Sequence, residues 1–223
     1  MSWRIKNLPH PLRHFYPALT GFQVVSSGLH YVRPHGQASP TISTMKSALL
    51  IIDVQRGLFE VERPPLEADA VVARINSLAS RARIAGAPVV FVQHESPGAP
   101  LEFESTGWQL EARLERHGDD HFVRKTTPDS FLRTNLKHLL ETLDVSHLVV
   151  CGYASEFCVD TTVRRAAALG YSVTLVSDAH TTHDKEHASA AAIRLHENAT
   201  LGNITSFGPA IKAVASGEVA YAV

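Results

Sequence analysis

The sequence predicts an α/β fold, a three-layer α/β/α sandwich of Rossmann-like type with a central, mostly parallel sheet. Three observations predict it. Short, nearly continuous apolar runs recur at residues 48–54, 88–93, 146–151 and 172–177, as strands buried on both faces require. Stretches with helical spacing separate them, and two of these end at Gly86 and Gly170, where a helix commonly stops. The order strand, loop, helix repeats along the body of the chain, which is the pattern of crossover-connected parallel strands. Right-handed crossovers then bring the carboxyl ends of all the strands to one edge of the sheet.

Residues 48–54 (ALLIIDV) form the first central strand and carry Asp53 at its carboxyl end. That is the rim where open α/β sheets place ligands, although a carboxylate there also serves to cap the following turn. Gln55 and Phe59 follow in a loop within reach of the same rim. Residues 66–85 read as an amphipathic helix, and residues 88–93 (PVVFVQ) as the next strand, followed by His94 and Glu95. The Gly/Pro-rich loop 96–107 has Phe103 and Trp108 at its far end and is a candidate substrate wall, since function concentrates on loops over a rigid scaffold. Lys125 stands at a strand end before Thr126 and Thr127; a lysine is ordinarily solvent-facing. A helix is expected over 130–143 and a strand over 146–151. Further on, the pattern gives a helix over 155–169, a strand over 172–177 and an alanine-rich helix over 184–199. A short strand over 203–206 and a final helix over 209–215 complete the reading.

The segment 149–165, VVCGYASEFCVDTTVRR, is the chemical centre of the chain. It leaves a strand through Gly152 and reaches Cys158 in the first turn of a helix. Ser155 and Glu156 occupy positions where capping side chains and negative charge are favoured. A cysteine there has free backbone N–H groups and the helix dipole to stabilise a thiolate, and the same N–H groups can hold an oxyanion. The alternative is a buried structural cysteine, a common fate of free cysteine.

Composition limits what such a site does. The chain has 223 residues, 44% hydrophobic and 19% charged, with a formal net charge of -1, enough apolar material for one full core. There is no basic excess of the kind a nucleic-acid surface needs. No apolar run approaches the roughly 20 residues of a membrane helix. The 2 cysteines, Cys151 and Cys158, form no secreted disulfide framework, so a reducing cytoplasmic setting is expected. Residues 1–44 carry five prolines and no sustained periodicity apart from a possible strand beginning at Val24. They are expected to be an extension, disordered or upstream of a true start at Met45; the alternative is a genuine extension that packs on the domain or a neighbouring subunit.

No phosphate-cradling glycine loop is present, so no nucleotide cofactor is implied. Asp178, His180 and His183 have spacing open to a metal cluster, but the threonines among them suit turn chemistry equally well.

LLIIDVQ from Leu49, VRKTTPDSF from Val123, CGYASEFCVDTTVRRA from Cys151 and SDAHTT from Ser177 together resemble the isochorismatase-like hydrolases, also called cysteine hydrolases. The resemblance runs from Lys46 to the C-terminus. It implies a catalytic triad of Asp53, Lys125 and Cys158, and a cis peptide between Tyr153 and Ala154. It also implies an oxyanion hole from the N–H groups of Ala154 and Cys158, and a homo-oligomer, dimer or larger. Ser155 falls where many members carry Thr. Metal-dependent nicotinamidases of the family use an Asp-x-His motif where this chain has QHESPG, so no metal is expected. Members that cleave vinyl ethers dispense with the cysteine, so Cys158 points to a small-molecule amide and a thioester intermediate. A vinyl-ether or ester hydrolase and a catalytically idle oligomeric binding protein are the alternatives. Gln55, Phe59, Phe103, Trp108, Tyr153 and Ser155 are the candidate substrate pocket.

Overall fold

The computed structural model describes residues 45–98 and 100–222; the expected extension over 1–44, with its possible strand at Val24, lies outside the described residues. Six strands, β1 (Ser47–Ile52), β2 (Val89–His94), β3 (His121–Lys125), β4 (His147–Tyr153), β5 (Ser172–Thr181) and β6 (Ile211–Val214), form one sheet in the order β3-β2-β1-β4-β5-β6. All its pairings are parallel. The order reverses direction at β1, so β1 and β4 meet where neighbouring crossovers diverge, the place where such sheets hold ligands.

Strand alternation divides the core into two layers. Leu49, Ile51, Phe91, Val149 and Cys151 face α2 (Ala68–Ile84), whose Val71, Val72, Ile75, Leu78 and Ala82 pack against them. Leu50, Ile52, Val90, Val92, Val123, Leu148 and Val150 face the other way. There they meet Leu136 and Leu140 of α3 (Leu136–Thr142), Val163 and Ala166 of α4 (Asp160–Ala168), and Leu201 of α5 (Ala190–Gly202). The four-residue helix α1 (Arg56–Phe59) follows β1. Helices on both faces of a parallel sheet are the sandwich the apolar runs imply.

Several boundaries differ from the sequence reading. The helix expected over 130–143 is only α3, because the preceding residues satisfy one another locally. Asp129 Oδ1 accepts from the Phe131 N–H, Thr134 Oγ1 donates to the Ser130 carbonyl, and Arg133 sits at φ 58. The alanine-rich helix begins late, at Ala190, with Ser189 accepting from the Ala192 N–H as its cap and Asp184 accepting from the Ala190 N–H. The strand expected over 203–206 is a turn, and the helix expected over 209–215 is instead β6. Ile211 there adds to the α3–α5 layer beside Val173, and the pairing energy of β5 outweighs the helical spacing of the segment.

Gly152 fixes the middle of the sheet. Its φ is 118, and a Cβ there would lie 2.1 Å from the Ile52 carbonyl oxygen. Only glycine admits both the conformation and the approach, and the approach brings the end of β4 against the end of β1.

Candidate active site

Backbone geometry brings three separated residues together. Register pairs His94 with Lys125 at the ends of β2 and β3. By alternation His94 shares the face of Val90 and Val92, and Lys125 that of Val123, so both side chains point into the layer containing α4. Asp53, one residue beyond β1, has the parity of Ile51 and would face α2 if the strand continued. It instead adopts φ 51, a left-handed conformation that aspartate tolerates better than most residues, and turns its carboxylate toward Lys125. Cys158 arrives from the opposite direction. The peptide between Tyr153 and Ala154 is cis, and Ser155–Val159 forms a single π-helical turn that runs directly into α4. The continuous α-helix expected over 155–169 is therefore divided, and Cys158 lies in its π-turn portion, a form of local irregularity common at functional sites.

Lys125 is the hub. It is 2% exposed, and its ammonium lies 2.7 Å from Asp53 Oδ2, 3.2 Å from Cys158 Sγ and 3.2 Å from His94 Nδ1. Asp53 Oδ1 is buried and has no hydrogen-bond partner among the described residues, which leaves one carboxylate oxygen uncommitted beside the thiol. Burial first, then the Asp53 carboxylate, pushes the Cys158 thiol up to about 12, while Lys125 pulls the other way. The resting sulfur is thus a thiol whose proton has an acceptor nearby. Burial, and after it Lys125, holds His94 below the usual imidazole range. Cys151 is fully buried on the α2 face with its thiol directed at the Leu50 carbonyl, and burial drives its ionisation upward; both cysteines are free.

A protein-family model described as "Isochorismatase domain" matches residues 47–206. The chain belongs to the isochorismatase family. Two proteins named "Streptothricin hydrolase" from Streptomyces noursei are similar to it. One is 43% identical over 61% of this chain and 50% of its own length, the other 38% identical over 73% and 70%. The chain therefore spans half the length of one of these relatives. A solved structure titled "Crystal structure of Isochorismatase family protein" is 36% identical, with a TM-score of 0.69, over 76% of this chain and 98% of the other.

Metal-bearing members of the isochorismatase family raise the question of whether this donor set fits a divalent ion. Asp53, His94 and Cys158 offer ligand atoms that all lie within 4.8 Å of one another. The Lys125 ammonium, however, is already within hydrogen-bond distance of all three residues. A charged lysine in the middle of the set repels a second cation, so the residues present do not fit a metal. The alternative cluster does not assemble. Asp178 accepts from the Ser216 N–H and hydroxyl and pairs with Arg74, His180 is buried between Ser155 and Asn198, and His183 meets the Tyr153 hydroxyl.

The other candidate residues lie in different surroundings. Gln55 is fully buried; its amide donates to the His94 and Trp108 carbonyls and accepts from the His94 N–H, tying the end of β2 to the loop after β1. Ser155 is fully buried and its hydroxyl meets His180 Nδ1 at 2.9 Å, while His180 Nε2 meets Asn198 Oδ1 at 2.9 Å. Phe59 is buried edge-on to Tyr153. Phe103, 41% exposed, packs edge-on to the half-buried Trp108 and lies beneath the Arg124 guanidinium, which pairs with Glu95. Sequence reasoning missed His94, His180 and Asn198 as parts of this region. His94 carried a signal as the polar residue immediately after the apolar run 88–93; His180 entered only as a candidate metal ligand with Asp178 and His183, and Asn198, on a helix face, gave none.

Proposed function

We propose that this protein hydrolyses a C–N bond in a small-molecule amide, with Cys158 as nucleophile, Asp53 as general base and acid, and Lys125 as the cation that organises them. The observation that supports it best is the buried Lys125 ammonium bridging Asp53 at 2.7 Å and Cys158 at 3.2 Å. As sulfur adds to the carbonyl carbon, the thiol proton passes to Asp53, and the carbonyl oxygen becomes an oxyanion held by the N–H groups of Ala154 and Cys158. Asp53 then protonates the nitrogen, the C–N bond breaks, and the amine leaves a thioester on Cys158. Water gives a proton to Asp53 and adds to the thioester; the C–S bond breaks and the proton returns to sulfur. Lys125 keeps its proton throughout and balances whichever of Asp53 and Cys158 carries the negative charge. Phe103, Trp108 and Tyr153 supply aromatic walls suited to a flat or apolar substrate.

The relatives named as hydrolases of streptothricin support a hydrolytic role for this chain. Two unpaired cysteines accord with a cytoplasmic setting, and among the described residues no helix is long and apolar enough to cross a membrane. We read the working unit as a homo-oligomer. The test is release of ammonia or amine from a panel of small amides and ureido compounds, comparing wild type with Cys158→Ala, with and without chelator. Turnover that survives chelator and is abolished in Cys158→Ala supports the reading. Turnover unchanged in Cys158→Ala overturns the role of Cys158 as nucleophile and with it the thioester intermediate.

A further inference from the structure

His94 has no part in the chemistry described above, yet its ring touches the centre of it. An ammonium has three hydrogens and no lone pair, so every atom in hydrogen-bond contact with Lys125 Nζ is an acceptor. Asp53 Oδ2 and Cys158 Sγ are two of these; His94 Nδ1, at 3.2 Å, is the third. The ring is therefore neutral with its hydrogen on Nε2. Its surroundings agree: Nε2 lies 3.1 Å from Ser96 Oγ, a hydroxyl able to accept the Nε2 hydrogen. The charged groups around it are Lys125, Asp53 and Glu95, the last drawn outward by its pairing with Arg124.

We propose that His94 is a positioning residue for the triad: as the neutral third acceptor on Lys125, it holds the ammonium at the apex between Asp53 and Cys158. The inference rests on the cysteine-hydrolase reading. With only two acceptors, the flexible four-carbon stem of lysine has one torsional freedom left at its tip, and the third contact removes it. A neutral acceptor is the type that does this without competing for the charge. A second carboxylate at this position would satisfy the ammonium by itself and raise the cost of a negatively charged sulfur; an apolar side chain would leave one buried N–H without a partner. Ser96 contributes by offering its hydroxyl oxygen to the Nε2 hydrogen of the tautomer that presents a lone pair at Nδ1.

The test compares wild type, His94→Leu and His94→Asn by the rate at which iodoacetamide alkylates Cys158 as pH is varied, read by mass spectrometry, with buried Cys151 as the internal control. Asn places a carbonyl oxygen near the position of Nδ1, whereas Leu keeps bulk without an acceptor. Expected is at least about a tenfold slowing at neutral pH in His94→Leu, with its profile displaced to higher pH and most of the loss recovered in His94→Asn. A His94→Leu profile that superimposes on wild type overturns the proposal, and so does a His94→Asn variant as slow as His94→Leu. Nitrogen-15 spectra of the histidine-labelled wild type test it without any core substitution: a neutral ring protonated at Nε2 supports it, and a proton on Nδ1 at neutral pH overturns it. A wild-type Cys158 that reacts no faster than Cys151 instead defeats the nucleophile assignment on which the proposal rests, and the ring tautomer then still decides whether His94 accepts from Lys125.

Discussion

Asp53 and Lys125 meet at 2.7 Å with both side chains withdrawn from water, 2% and 0% exposed. A buried pair of this kind adds little stability relative to apolar residues of the same shape, because desolvating two charges offsets their attraction. Its retention in the middle of the sheet edge, with a thiol on the same ammonium, is better explained by chemistry than by folding. The pair makes each partner's removal costly, and that cost is measurable.

Lys125→Met should destabilise the fold by about 3–5 kcal/mol, since it leaves the Asp53 carboxylate buried without a counter-charge. Adding Asp53→Asn to that variant removes the stranded charge and should recover part of the loss. Urea denaturation of the wild type, both single variants and the double variant gives the coupling directly. Strict additivity of the two substitutions would show that the pair is not energetically linked.

Asp53→Asn separates two roles for the carboxylate. Asp53 raises the Cys158 thiol pKa by its charge, so its removal makes the thiol easier to ionise. It is also a proton acceptor in the same cluster as the thiol, with Oδ1 uncommitted. If proton acceptance dominates, amide turnover in Asp53→Asn falls by about two to four orders of magnitude despite the easier ionisation. A variant faster than wild type would mean that Asp53 acts on sulfur only through its field.

Gly152→Ala should fail to accumulate as a soluble, cooperatively melting protein. The added methyl would lie 2.1 Å from the Ile52 carbonyl oxygen and 2.7 Å from the Ile52 nitrogen, both backbone atoms of the neighbouring strand, at a φ of 118 that L-residues avoid. No side-chain movement relieves such a contact; β1 and β4 would have to separate. Thermal melts of refolded protein measure the loss, and a variant within about 1 kcal/mol of wild type would contradict the rigidity claimed for this crossing.

The fold class was legible because apolar runs mark strands buried on both faces, and the crossover rule sends their carboxyl ends to one edge. The triad was legible through the resemblance carried by LLIIDVQ, VRKTTPDSF and CGYASEFCVDTTVRRA; by itself Lys125 reads as an ordinary solvent-facing lysine. The C-terminal elements were misassigned because 211–214 is too short for its period to separate strand from helix, and pairing with β5 decides the outcome. Asp53 by alternation points to the wrong face; nothing in the sequence announces the φ of 51 that reverses it. His94 was named in QHES but given no role, since its meaning depends on a register between β2 and β3 that only the assembled sheet reveals. Gln55 and Ser155, placed on the substrate pocket by loop position, are fully buried and hydrogen-bonded inward, so the same position carries support as readily as recognition.

His180 gives the fold a definite acid sensitivity. It is fully buried behind the nucleophile turn, between Ser155 and Asn198, and burial pushes its pKa down from 6.5 to about 4. Above the unfolded value of 6.5 the ring is neutral in both states and its buried contacts are fully available. As pH falls from 6.5 toward about 4, the unfolded chain gains a proton that the folded chain refuses, so stability is lost across that interval, by about 3 kcal/mol in all. Glu197 works in the opposite sense. Burial, then Asp160, raises its carboxyl to about 7, so the folded state holds a proton there that the unfolded chain releases as pH rises above 4.5. His180→Gln removes only the first contribution. At neutral pH the variant should be less stable than wild type, because one side of the Ser155–Asn198 link is altered. On acidification the gap should narrow, and urea midpoints taken at intervals between neutral pH and about pH 4 follow it. Parallel curves for wild type and variant would show that the ring takes up its proton in the folded protein as readily as in the unfolded chain, and on acidification the Ser155 hydroxyl would then have to accept from it instead of donating to it.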